Sequence, residues 1–399
     1  MKLLQINVTA NWGSTGKIAE QIGLSALSEK WQSYIAYGRN SNRSSSKLIK
    51  VGRQLDVYLH YIKQRIFDNE GLASIRATRQ LIKTISEISP DIVQLHNIHD
   101  HYLNYKILFG YLSKTDIKVV WTFHDCWAFT GHCFHFVSKN CDKWKSKCED
   151  CPLKHIYPNT LFDNSKRNFL LKKTLFGEFR NLTIVSCSAW MNDLVNESFF
   201  KDTHKLIIHN GIDLGVFRPL PVKDNKENKT LFSLLFVSNV WNESKGFNDI
   251  EKLYSKLDET YQITVVGLSK KQISQMPKSI NCLERTNSVE ELVELYSKAD
   301  VFINPTYADT FPTVNIESLA CGTPVITYRT GGAPETIDEN TGIVVEQGNV
   351  DEIVEALNLI KNTSGKFTGQ QCRNRAEVYF DKKKCFGKYI DLYRNLTDK

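Results

Sequence analysis

The 399-residue sequence has only 10 prolines and 21 glycines, which excludes a collagen-like or low-complexity chain. No run approaches the roughly 18 consecutive apolar residues that a membrane-spanning helix needs. A strong excess of one charge is also missing: 51 Lys and Arg against 44 Asp and Glu give a formal net charge of +7. That balance is too mild to argue for nucleic acid, yet it suits an anionic membrane surface or a phosphorylated ligand. The first residues, Met1 to Val8, are apolar over too short a stretch for a secretory signal and lack a small-residue cleavage site. They read as a buried first strand, and a cytoplasmic protein is the expectation. What is abundant is apolar side chain, 41 % of the chain, which excludes disorder. The length suggests two domains.

Short apolar runs alternate with helical patterns throughout. Strands are expected at Leu3–Val8, Asp91–His96, Lys118–Phe123, Leu182–Cys187, Lys205–His209, Leu231–Val237, Gln262–Val266, Val301–Asn304 and Pro324–Thr327. Helices are expected at Ile18–Ser28, Ala77–Ile88, Val289–Lys298 and Asn315–Ala320, with a last helical pattern over Arg375–Asn395. Strand–helix repetition with near-continuous apolar strands predicts an α/β protein whose parallel sheets are covered on both faces. The pattern breaks at 213–230, which is rich in Pro, Lys and Asn and reads as a linker. The expected division is a domain over 1–212 with a Cys-rich insert at 126–157, the linker 213–230, a domain over 231–375, and a segment 376–399 returning to the first domain. Two doubly wound halves of this kind would bind ligands at the carboxyl ends of their strands, in a central cleft.

The richest stretch runs from Phe302 to Glu335. A strand ends at Asn304, a loop carries Asp309, and a helix opens at Pro312, a residue suited to a first helical position. The amides of Thr313, Val314 and Asn315 would then be free to bind an anion such as phosphate. Glu317 lies one turn further on, where its carboxylate would accept from the two hydroxyls of a ribose. Asp309 would hold a sugar hydroxyl. The alternative for either acid is a favourable interaction with the helix dipole alone.

These residues resemble the retaining GT-B glycosyltransferases of family 4. The shared signature is an acid, seven intervening residues and a Glu, here Asp309 and Glu317, followed by Ala320-Cys321-Gly322-Thr323-Pro324-Val325. The resemblance implies two Rossmann-like domains facing a cleft. It also implies that Glu317 binds the nucleotide ribose and Asp309 the donor sugar. The stretch between them, with Phe311, Pro312, Thr313 and Val314, would hold the diphosphate. The sequence departs from the family in having Asp where Glu is usual and Pro312 where Gly is usual, which leaves the donor sugar open. A second match, Val237 to Gly246, aligns Lys245 with the family's cation for the leaving diphosphate and puts Asn239 where an Arg is usual.

In the first half, His124 and Asp125 close a strand. His124 would hydrogen-bond a sugar hydroxyl or brace the acceptor, with Asp125 setting its tautomer. The loop Asn11 to Lys17 fails the phosphate-loop pattern, because Asn11 stands where a Gly and Ile18 where a Ser or Thr is required. The resemblance makes Gly13 and Gly16 close-approach positions for the diphosphate and acceptor. His209 to Asp213 resembles the family's interdomain hinge.

Four cysteines crowd into one stretch: Cys133, Cys141, Cys148 and Cys151, the last two at x2 spacing. In a reducing compartment that spacing favours structural zinc over disulfides, with redox or unliganded thiols as the alternatives. No catalytic metal is expected, because Lys245 and a helix terminus would do its work.

The expected function is therefore retaining transfer of a hexosyl unit from a UDP- or GDP-sugar to a glycan or lipid-linked acceptor in surface polysaccharide biosynthesis. The alternatives are a nucleotide-sugar epimerase of the same fold, a glycan phosphorylase, or a zinc-stabilised binding module. The mixed basic and apolar stretch Lys47–Lys63 suggests a helix on the inner face of the membrane, or a solvated helix packed on its own domain.

Overall fold

The computed structural model describes residues 1–221, 231–363 and 365–397. The chain forms two compact units, one of Met1–His209 with Phe386–Lys399 and one of Asn210–Cys385.

In chain order the first unit contains β1 (Lys2–Asn7), α1 (Gly13–Ser28), β2 (Gln32–Tyr37), β3 (Lys47–Lys50), α2 (Gln54–Phe67), α3 (Ile75–Ile88), β4 (Ile92–Leu95), α4 (Tyr105–Leu112), β5 (Lys118–Phe123), α5 (Ser165–Gly177), β6 (Leu182–Ser186), α6 (Ala189–Glu197) and β7 (His204–Ile207). The strands form one sheet, ordered β3-β2-β1-β4-β5-β6-β7, with every pairing parallel. The central strands β4 and β6 are buried along their whole length. That explains why they read as continuous apolar runs, since parallel sheets are covered on both sides. The strand order reverses beside β1 and β4, and open α/β sheets bind ligands outside the carboxyl ends at such a switch point.

The second unit contains β8 (Phe232–Val237), α7 (Phe247–Tyr254), β9 (Tyr261–Val266), α8 (Lys270–Gln275), β10 (Asn281–Leu283), α9 (Val289–Lys298), β11 (Val301–Asn304), α10 (Thr313–Ala320), β12 (Val325–Tyr328), β13 (Gly342–Val345), α11 (Val350–Asn362) and α12 (Gly369–Tyr379). Its sheet is ordered β10-β9-β8-β11-β12-β13, again parallel, with the switch point beside β8 and β11. The last helix, α13 (Lys382–Thr397), starts in the second unit and ends in the first. Its Phe386, Tyr389, Ile390 and Tyr393 join a buried cluster with Leu3, Ile22 and Val120. Tyr393 Oη donates to Gln94 Oε1 at 2.8 Å within that core.

Several elements differ from the expectation. Strands β2, β3, β10 and β13 were not among those expected: β3 and β10 are short and bounded by polar residues, whereas β2 and β13 carry apolar runs at 34–37 and 343–345 that were not read as strands. Lys47–Lys63 is not one helix: Lys47–Lys50 is a strand, Gly52 turns the chain at φ +70°, and α2 begins at Gln54. The Arg53 amide donates to Asp56 Oδ2 at 2.8 Å, which caps the new helix. The pattern over Arg375–Asn395 is likewise two helices. Asp381 Oδ1 accepts the amides of Lys383 and Lys384 and starts the second of them. Of the expected linker, residues 213–221 are tied to α12, where Arg373 donates to the carbonyls of Leu214 and Phe217. Residues 222–230 lie outside the described residues.

Candidate active site

In the second unit, the loops after β8 and β11 meet at the sheet's switch point. Gly246, at φ +76°, lies so close to Pro305 that a Cβ would stand 2.1 Å from its carbonyl oxygen. A glycine is required there, and it seats the Lys245 loop against the loop that carries Asp309. The Tyr307 amide donates to Ser244 O at 2.8 Å and closes the contact. Lys245 Nζ then reaches Asp309 Oδ2 at 2.8 Å, with Ala308 O at 3.3 Å. Both side chains keep part of their surface in solvent, 33 % and 24 %, so the pair is poised to exchange partners and is weak as a stability element.

A buried amide ladder fixes where α10 begins. Asn304 Nδ2 donates to Asn315 Oδ1 at 2.8 Å, and Asn315 Nδ2 donates to Thr336 Oγ1 at 3.0 Å. Pro312 is the N-cap residue and not the first helical one. The Asn315 amide, expected to be free, turns back to Pro312 O at 3.3 Å. The amides of Thr313 and Val314 have no partner among the described residues, so a positive helix end is exposed beside Lys245 and Asp309. Phe311 is buried edge-on against Phe380, and its amide donates to Asp309 Oδ1 at 3.2 Å. Its side chain is therefore a packing element that holds the Asp309 loop. Glu317 Oε2 accepts from the hydroxyl of the buried Tyr296 at 3.3 Å. Asn239 is exposed in the bend after β8.

In the first unit, His124 follows β5 and its Nε2 lies 3.0 Å from His96 Nδ1. His96 Nε2 lies 3.1 Å from Gln5 Oε1, and Gln5 Nε2 donates to Ala19 O at 2.7 Å. The network assigns the protons. Gln5 must present its oxygen to His96, so His96 carries its proton on Nε2 and accepts at Nδ1. His124 is then the donor through Nε2. Burial pushes His124 down to about 4, partly offset by Asp125, and burial and His124 together push His96 well below the usual histidine range. Both rings are neutral near pH 7.

Asp125 does not set the tautomer of His124, contrary to expectation. It accepts from His99 Nε2 at 2.8 Å and from the Trp127 amide at 2.9 Å. Burial opposes both charges of that pair, but their mutual attraction outweighs it. It raises the His99 pKa and holds Asp125 at about 2. His96 was read only as part of a strand end resembling the family's, and His99 and Gln5 were not found: Gln5 is a single buried polar residue in the apolar strand β1, and His99 lies in the loop after β4, so its pairing with Asp125 is tertiary. Gly13 opens α1 at φ +65° with free space around it. Gly16 is used internally: a Cβ there would stand 2.6 Å from Thr9 Oγ1, so its close approach is to its own loop.

The four clustered cysteines line one small pocket of the first unit, with His132 and Trp144. The Gly131 amide donates to Cys148 Sγ at 3.2 Å. His132 Nδ1 lies 2.6 Å from Asp68 Oδ1. Among the described residues, no three His, Cys, Asp or Glu side chains are arranged to hold a metal ion.

Two family models match the chain: Glycosyltransferase Family 4 over residues 34–216 and Glycosyl transferases group 1 over residues 219–377. Sucrose-phosphate synthase from Thermosynechococcus elongatus shares its fold, with a TM-score of 0.73 at 15 % identity, over 99 % of this chain and 98 % of that one. Anabaena Alr3699/HepE in complex with UDP-glucose superposes with a TM-score of 0.65 at 13 % identity, over 99 % and 100 %. These two-sheet folds and paired models define the class: the chain is a glycosyltransferase of the GT-B fold. It belongs to the family 4 type, and the epimerase and binding-module readings are not favoured. Among curated relatives, the putative colanic acid biosynthesis glycosyl transferase WcaC of Escherichia coli strain K12 is 23 % identical over 99 % of this chain and all of its own length.

Proposed function

We propose that the enzyme transfers a hexosyl unit, with retention, from a UDP- or GDP-sugar to a glycan or lipid-linked acceptor in surface polysaccharide biosynthesis. The observation that carries the reading is the Lys245–Asp309 pair beside the two unpartnered amides of α10. A diphosphate seated on Thr313 and Val314 would draw the Lys245 ammonium from Asp309, leaving that carboxylate for a sugar hydroxyl. Glu317, steadied by Tyr296, would accept from the ribose. Lysine and helix end together stabilise the charge that develops on the departing diphosphate, without a catalytic metal. The incoming hydroxyl attacks from the face the diphosphate leaves, and a phosphate oxygen takes its proton. WcaC, named for colanic acid biosynthesis, and Alr3699/HepE, solved with UDP and UDP-glucose, support the substrate class.

Contact with a membrane surface belongs to the same proposal. Helix α2 presents Leu55, Tyr58 and Leu59 to solvent, 65 %, 59 % and 49 % exposed, beside Lys63. No helix among the described residues is long and apolar enough to cross a membrane, whereas a surface stripe of this kind suits the inner leaflet.

The test is thermal stabilisation against a panel of nucleotide sugars, then turnover with acceptor extracts and an anomeric assignment of the product by NMR. Donor-dependent stabilisation that survives Glu317→Ala undiminished, or an inverted product, overturns the reading.

A further inference from the structure

The pocket of four cysteines has surroundings that neutral thiols do not satisfy. His132 and Trp144 line it, each 2 % exposed, and His132 Nε2 and Trp144 Nε1 are buried without a hydrogen-bond partner. The Trp144 indole N–H can only donate, and native structures rarely leave such a buried donor unpaired. A neutral thiol is a weak acceptor, whereas a thiolate is a strong one. Charge gives the same indication. Lys172 is 1 % exposed and its ammonium donates to the carbonyls of Trp127 and Thr130, at 2.7 and 3.1 Å, with no carboxylate within ion-pair distance among the described residues. The Trp127 ring face lies 3.5 Å from that ammonium and Asp68 and Glu70 already act on it, and thiolates at Cys148 and Cys133 would add to the same field. The segment itself, residues 126–157, has no strand and no α-helix, only three single turns of 3-10 helix at Trp127–Phe129, Val137–Lys139 and Lys143–Lys145. Its own backbone hydrogen bonds are those of turns, such as Cys126 to Phe134 O and Lys147 to Lys143 O, and Phe129, Phe136 and Trp144 tie it to the core.

We propose that Cys133, Cys141, Cys148 and Cys151 together bind one Zn²⁺ as thiolates, in a structural site that fixes this segment behind the strand end bearing His124. Four sulfur donors with a final Cys-x2-Cys pair suit tetrahedral zinc, and the Gly131 amide on Cys148 Sγ is the kind of outer contact such sites use. Trp144 Nε1 then donates to thiolate sulfur, while His132 stays anchored through Nδ1 to Asp68. As placed, the four sulfurs line one pocket but are not gathered on one centre. Binding therefore requires the sulfurs to draw together: four S–H bonds break, four S–Zn bonds form, and four protons pass to solvent with no change of oxidation state.

The experiment uses the full chain, purified without chelator, with zinc measured by mass spectrometry of the native protein and by elemental analysis. One zinc per chain is expected, released by a thiol-modifying mercurial, with Cys148→Ser and Cys151→Ser reducing the content severalfold and Cys282→Ser leaving it unchanged. Should those serine variants not fold, cobalt titrated into demetallated wild-type protein must give the intense sulfur-to-cobalt charge-transfer absorption of a tetrathiolate site. Metal-free native protein with four alkylatable thiols, a Cys133–Cys151 disulfide in their place, or cobalt bound without sulfur absorption each overturns the proposal.

Discussion

His96 and His124 stack with ring centroids 5.3 Å apart and are joined nitrogen to nitrogen at 3.0 Å. Gln5, locked by Ala19, sets the direction of that bond, so a residue inside β1 dictates which nitrogen of His124 carries the proton. Replacing Gln5 by Leu removes the acceptor and releases the tautomer. The expected result is a fall in kcat of about tenfold, the worth of about 1.4 kcal/mol, with the donor KM little changed. Nitrogen-15 NMR of the imidazoles should show mixed tautomers; an unaltered spectrum would refute the relay.

The buried histidines also predict acid sensitivity. His60 and His124 are both lowered to about 4, chiefly by burial. Their folded-state pKa values lie below the unfolded 6.5, so the unfolded chain binds protons first and stability falls as pH drops from about 6.5 to 4. Each contributes up to about 3 kcal/mol across that window. Asp125 keeps its charge down to about pH 2 and adds little there. The raised pKa of His99 acts in the opposite direction, adding stability below pH 6.5 that is lost as pH rises through its folded value. Melting temperatures measured from pH 7 to 5 should decline, and His60→Gln should flatten the slope.

Lys245 and Asp309 are expected to separate kinetically. Lys245→Ala should lower kcat by about 10²-fold or more, since it removes charge stabilisation of the leaving group. Asp309→Asn frees Lys245 from its partner and should weaken discrimination among donor sugars while preserving nucleotide affinity. Steady-state kinetics with a donor panel distinguishes the two; equal losses in both variants would argue that the pair is structural. Leaving magnesium out of the assay should not change the wild-type rate.

Tyr296→Phe isolates the support of Glu317. Loss of one hydrogen bond to a carboxylate, worth about 1.5–3 kcal/mol, should raise the nucleotide-sugar Kd about tenfold or more without altering the fold. Calorimetry of donor binding reads this directly.

On α2, Leu55→Glu with Leu59→Glu should abolish flotation with anionic vesicles and leave thermal stability within about 0.5 kcal/mol, since both side chains face solvent. Unchanged flotation would remove the membrane contact from the proposal.

The strongly apolar strands were legible because burial on both faces leaves a continuous signal, and Lys118–Phe123, Val301–Asn304 and the helix Val289–Lys298 match their expected bounds. The Asp309 to Glu317 spacing was equally plain, because the loop and the first turns of α10 are consecutive in the chain. What could not be read is what distant residues do to one another. Asp125 sits beside His124 in sequence, yet tertiary packing gives it to His99 and gives His124 to His96. Gly16 is read as a ligand-side glycine until the position of Thr9 is known. The break of the last helical pattern at Asp381 depends on a side chain capping its own backbone, which periodicity does not report.

Helix α13 finishes the core of the unit whose other residues end at His209. During synthesis the ribosome must therefore make the whole of the second unit before Phe386, Tyr389 and Tyr393 can reach Leu3 and Gln94. The portion of the nascent chain that emerges first is completed last, so the two units mature as one commitment and a ribosome stalled near residue 380 leaves the earlier half unsealed.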